Sequence, residues 1–100
     1  MLPPMPYFAL FYDTVDDFVD RRQPHRQAHL ALVDAAHGDG RLLLAGALKP
    51  DGGALLVFHT DNIRDVEAFA RQDPYVVHGL VRDWRVREWA SVIGEHAVAR

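Results

Sequence analysis

The chain has no cysteine. That absence removes disulfides, thiolate nucleophiles, iron–sulfur clusters and Cys-based zinc sites together, leaving His, Asp, Glu, Arg and Tyr to carry any chemistry. Positive charge is also short: the net charge is −3 and the arginines are interleaved with acids. A nucleic-acid module needs an excess of Lys and Arg facing phosphates, so no nucleic-acid partner is expected. Residues 1–6 hold three prolines and no basic stretch, and the apolar run that follows is too short for a signal-peptide core. No segment approaches the roughly eighteen apolar residues of a membrane span. The expectation is a cytoplasmic bacterial protein without a membrane partner. A Gly-rich phosphate loop, a nucleophile elbow and a dinucleotide fingerprint are all lacking, so phosphoryl transfer, serine hydrolysis and hydride transfer from NAD have no support.

What is present suits one hydrophobic core. With 100 residues, 49% of them hydrophobic and 25% charged, the chain has the size and balance of a single globular domain. We expect one domain over residues 1–100, with a core from about 7 to 89 and a C-terminal tail at 94–100. Tyr7-Phe8-Ala9-Leu10-Phe11-Tyr12 is apolar at consecutive positions and reads as a central strand covered on both faces. A polar connection with room for one helical turn follows, and Pro24, whose missing N–H costs nothing in a first turn, opens a helix to about His37. Gly38-Asp39-Gly40 closes it. Arg41–Ala45 and Ala54–Phe58 read as a hairpin across a loop rich in Gly and Pro. Thr60, Asp61 and Asn62 offer N-cap oxygens to a helix through Gln72. Asp73-Pro74 then restarts the chain for one turn to His78, closed by Gly79, before a last strand over about Arg82–Trp89.

The order strand, helix, strand, strand, helix, strand is that of the split βαβ, ferredoxin-like α+β plan, an antiparallel sheet with both helices on one face. The first three strands are apolar at consecutive positions, so the second sheet face needs a cover. A second copy of the same sheet in a two-fold dimer supplies one, with Tyr7, Ala9, Phe11, Leu43 and Leu55 or Leu56 at the contact.

On the first long helix, at 100° per residue from His29, Ala36 falls at about 340°, Leu32 at about 300° and Val33 at about 40°. His29 therefore points toward the core. Imidazole accepts or donates a proton near neutral pH, which makes it the leading candidate for chemistry; the bland alternative is a core histidine bonded to a carbonyl. His25, four residues earlier, has the spacing for a shared metal but no adjacent Glu and no obvious third ligand, so no metal is expected. Arg85 and Arg87 read as dimer-interface residues rather than anion ligands. Asp39, beside a glycine, reads as a turn residue.

His29-Leu30, Gly40-Arg41-Leu42-Leu43-Leu44-Ala45-Gly46 and Asp73-Pro74-Tyr75-Val76, taken together and in this order, resemble the YCII-related (YciI-like) family over about Tyr7 to Trp89. The resemblance implies a dimeric ferredoxin-like fold of the dimeric α+β barrel type. It also implies an active-site dyad of His29 and Asp73, without a cofactor. The clearest activity among relatives is dehydrochlorination of a chlorinated hydroxyhydroquinone. Two positions depart from the family pattern: Ala47 stands where proline is usual, and His78 where a small residue is common.

On this reading Asp73 fixes the imidazole tautomer, although Asp before Pro is also an ordinary N-cap, and two carboxylate oxygens allow both roles. Tyr75, beside Asp73, is the best placed of the tyrosines to bind substrate, with His25 and His78 as further candidates. The expected function is proton transfer, in an elimination or isomerisation, on a small organic substrate, aromatic rings included. The competing readings are a non-catalytic dimer that binds a small molecule or a partner, and a relative of the dimeric α+β barrel monooxygenases or isomerases.

Overall fold

The computed structural model describes residues 5–50 and 52–94; all but the first residue of the expected tail at 94–100 lies outside them. Four strands, β1 (Tyr7–Thr14), β2 (Leu42–Ala47), β3 (Ala54–His59) and β4 (Val81–Trp89), form one sheet in the order β2-β3-β1-β4. Every neighbouring pair is antiparallel. With helices in both crossovers, this is the ferredoxin-like α+β plan expected from the order of elements.

Period-two alternation sorts β1 onto two faces. Phe8, Leu10 and Tyr12 enter the main core, where they meet Leu56 and Phe58 of β3 and Trp84 and Val86 of β4. Tyr7, Ala9 and Phe11 point the other way, opposite Leu55, Val57 and His59 on one side and Arg85, Arg87 and Trp89 on the other. The open face thus contains Leu55 and not Leu56. It also takes Leu44 rather than Leu43, because the register of β2 against β3 shifts between Leu42, opposite Phe58, and Leu44, opposite Val57. One extra residue there turns the following side chain to the other face.

The first crossover carries α1 (Phe18–Arg21), a 3-10 turn (Gln23–His25) and α2 (Arg26–Gly38). Pro24 lies in the 3-10 turn, so the long helix opens at Arg26, two residues later than its proline suggested. Ala36 is buried, with Leu32 and Val33 packed against the core beside it. Gly40, at φ +88°, takes the left-handed conformation that ends the helix. Asp39 secures the turn by accepting from the backbone N–H and the Nε–H of Arg41, at 3.0 and 2.9 Å.

The second crossover carries α3 (Ile63–Gln72) and α4 (Pro74–Val77). Of the three cap candidates, Asn62 caps α3, its Oδ1 accepting from the Arg64 N–H at 2.9 Å. Val66, Phe69 and Ala70 bury one side of that helix against the sheet. No helix of the described residues is long and apolar enough to cross a membrane.

Candidate active site

The site is built around Asp73, a carboxylate with no exposed surface at the junction of α3 and α4. Proline at 74 disfavours helical backbone at the preceding residue, and Asp73 is extended at φ −62°, ψ 122°. The kink turns its side chain inward. Oδ1 caps α4 by accepting from the Tyr75 N–H at 3.0 Å and lies 2.8 Å from Nδ1 of His29. Oδ2 accepts from the Tyr12 hydroxyl at 2.7 Å. A bare carboxylate buried this deeply would be costly, and here three donors surround it.

These partners fix the protonation pattern. Burial first, and then the negative charge of Asp73, push the Tyr12 hydroxyl far above the usual tyrosine range, so it stays protonated and donates. Facing a carboxylate oxygen, Nδ1 of His29 is the ring nitrogen placed to donate, and in the neutral ring that tautomer leaves the lone pair on Nε2. The Tyr75 ring lies flat on the imidazole, with centroids 3.8 Å apart and planes at 14°. Phe18 meets that tyrosine edge-on at 5.1 Å. Stacking on one side and a carboxylate at Nδ1 leave the ring little rotational freedom.

His29 opens onto a cleft of about 140 Å³ between α2, the 3-10 turn region and the end of the β2–β3 hairpin. Its walls are mostly apolar, from Leu30, Val33, Ala54 and Leu56, with Tyr12, Tyr75, Arg22 and Arg26 also in the lining. The hairpin comes close because Gly53, at φ +86°, leaves room for the Tyr12 carbonyl: a Cβ there would lie 2.8 Å from that oxygen. Such a cleft can hold a small ring beside His29.

The structure brings His29, Asp73 and Tyr75 together. It does not bring His25 and His78 to the cleft; they stack on each other, centroids 4.0 Å apart and planes at 13°. Among the described residues no three His, Asp or Glu side chains converge on a metal position. Sequence reasoning missed the bond from Tyr12 to Asp73, although Tyr12 shares the parity of Phe8 and Leu10 and so had to place its hydroxyl inside. It also missed Phe18, Arg22 and Arg26. Phe18 and Arg22 lie in a stretch whose pattern reads only as a polar connection, and Arg26 in the first turn of a helix whose apolar side drew the attention to His29.

The YCII-related domain model matches residues 5–90, and the chain belongs to that family. It is 27% identical to protein YciI of Escherichia coli over 95 residues, covering 85% of this chain and 97% of that protein. An uncharacterised protein of Haemophilus influenzae is 26% identical over 96 residues, with 86% and 98% covered. Among solved structures, 5-chloro-2-hydroxyhydroquinone dehydrochlorinase (TftG) of Burkholderia phenoliruptrix, in complex with 2,5-dihydroxybenzoquinone, superposes with a TM-score of 0.72 at 20% identity, covering 91% of this chain and 98% of that one. At that identity the likeness establishes a shared fold.

Proposed function

We propose that the protein is a small cofactor-independent enzyme in which His29 is the general base and Asp73 its orienting carboxylate. The observation that carries this reading is the 2.8 Å contact between Nδ1 and Oδ1 beside a cleft that the imidazole lines. Nε2 takes a proton from a bound substrate, the ring becomes imidazolium, and Asp73 stabilises that charge through Nδ1–H; in an isomerisation the proton goes to another atom of the substrate, and in an elimination the leaving group departs with the electron pair of its bond to carbon and the proton passes to solvent. Elimination and isomerisation both need this step. The cleft, at about 140 Å³, is close to the ~150 Å³ of a cavity that takes up benzene, and TftG, with the same fold, is named for action on a chlorinated aromatic diol derivative. A single ring bearing hydroxyl or halogen substituents is therefore the proposed substrate class.

We further propose that one YCII-like unit acts as a homodimer through the open sheet face, in the cytoplasm. Leu44 and Trp89 on that face are 71% and 51% exposed in a single subunit, an arrangement more typical of an interface than of a wetted surface.

Turnover and thermal stability measured together on His29→Ala, Asp73→Asn, their double variant and His25→Ala, against a panel of small hydroxylated or halogenated rings, test the dyad. Loss of turnover in His29→Ala with the fold retained, a drop of about ten- to hundredfold in Asp73→Asn, and a double variant no worse than His29→Ala are expected. His25→Ala should stay active. The competing binder, with His29 as a packed core residue, predicts lost stability and unchanged activity or ligand affinity in every variant that folds. Turnover persisting in folded His29→Ala would remove the mechanism.

A further inference from the structure

Two residues that line the cleft each carry a buried polar atom without a hydrogen-bond partner among the described residues: the Tyr75 hydroxyl oxygen and Nε of Arg22. Buried polar atoms are almost always paired, and an unpaired one costs stability unless something else satisfies it. Tyr75 is 3% exposed, its ring held between His29 and Phe18. Arg22 lies over the other side of this wall, its guanidinium 5.5 Å from the Phe18 ring centroid. One aromatic stack thus joins two residues of the cleft lining, each with an orphaned polar atom just behind its surface.

We propose that Arg22 and Tyr75 form a subsite for an ionised oxygen carried on the substrate ring. A guanidinium offers donors and no acceptor, so its counterpart must bring lone pairs, and a negative oxygen also satisfies its charge. The tyrosine hydroxyl can donate to the same atom. Leu30, Val33, Ala54 and Leu56 supply the apolar surface for the ring itself. A phenolate, an enolate and a ring carboxylate share this chemistry. Arg22 and Tyr75 are binding residues here, and the subsite takes only its location from the active site proposed above.

The test is equilibrium binding by calorimetry and NMR titration at pH 8 with two matched pairs of probes: benzoate against benzamide, and 4-nitrophenolate against nitrobenzene. In the wild-type protein at least one anion should bind about ten- to hundredfold more tightly than its neutral partner, and which pair shows the larger ratio separates the carboxylate from the phenolate form. Tyr75→Phe and Arg22→Gln should each cut the preference about tenfold while neutral probes bind as before. Tyr75→Phe should also melt no lower than wild type without ligand, since it deletes an unpaired buried oxygen. His29→Ala should keep the anion preference. Equal affinity for both members of each pair, no detectable anion binding, or a preference that survives both Arg22→Gln and Tyr75→Phe would overturn the subsite. If no turnover is ever found yet the preference maps to these two residues, the proton-transfer reading fails and the subsite stands; His29-dependent turnover without anion preference is the converse.

Discussion

Replacing Tyr12 with Phe removes one oxygen and leaves the ring in place, so it isolates the 2.7 Å bond to Asp73. The acceptor is a carboxylate with no exposed surface, so Oδ2 cannot turn to bulk water for a replacement. A hydrogen bond to a charged group contributes about 1.5 to 3 kcal/mol, and about 2 kcal/mol is the expected loss at neutral pH. For a chain of this size each kcal/mol moves the melting temperature by roughly 4 to 8 °C, so a fall of about 8 to 16 °C should appear by calorimetry. The loss also has a pH signature with a definite sign. Tyr12 holds its proton in the folded state well above the usual range, whereas in the unfolded chain it releases the proton near pH 10. Above that pH the unfolded state binds fewer protons than the folded one, so this group's stabilisation is intact below about pH 10 and drains away as pH rises, by about 1.4 kcal/mol at pH 11. Tyr12→Phe lacks this drain. The stability gap between wild type and variant, measured by urea unfolding from pH 8 to 11, should therefore narrow from about 2 to about 0.6 kcal/mol, with whatever the two proteins share cancelling in the difference. A neutral-pH gap below about 0.5 kcal/mol, or one that stays constant to pH 11, would show that Tyr12 does not hold the carboxylate.

Phe11 lies on the open sheet face with the Arg85 guanidinium 4.7 Å from its ring centroid, so Phe11→Asp can pair its new carboxylate within one subunit but not inside a dry sheet-on-sheet contact. Sedimentation should give a dimer for wild type at micromolar concentration and a folded monomer for the variant; a persistent dimer would place the interface elsewhere. Gly53→Ala adds a Cβ at 2.8 Å from the Tyr12 carbonyl in a left-handed backbone conformation, and denaturant unfolding should register a loss of about 1 to 3 kcal/mol. Asn62→Ala deletes the cap of α3 and should cost about 1 kcal/mol by the same measurement, with turnover unchanged because Asn62 is not among the residues that line the cleft.

The elements were legible where punctuation and periodicity agreed. Asn62 ahead of an amphipathic run and Asp73-Pro74 at its end bound α3 at Ile63 and Gln72, and six consecutive apolar positions in β1 belong to an interior strand. The open face was legible as a need for cover but not in all its members, because the shift between Leu42 and Leu44 leaves no mark in a run of three leucines. The histidine and the aspartate were each visible as candidates on a helix face and at a cap. Their meeting, 44 residues apart in sequence, depends on how α2 and α4 pack and is not contained in either local pattern. Arg22 was illegible for a further reason: the Arg21-Arg22 pair stands in a charged connection without periodicity, and it is the packing of Phe18 against Tyr75, with the Arg22 guanidinium over Phe18, that sets Arg22 beside the cleft.

Asp73 does two jobs with one side chain, and they tolerate exchange differently. Asn, Ser or Thr can cap a helix about as well as Asp, so a lineage relieved of the need for the reaction can drift at this position and keep the turn that α4 requires. None of those residues supplies the negative charge beside Nδ1. On the proposed mechanism, a chain of this fold with Asn, Ser or Thr in place of Asp73 would keep the turn while losing the charge that orients the base, and the residue at this single cap would then separate working members of such a lineage from its structural remnants.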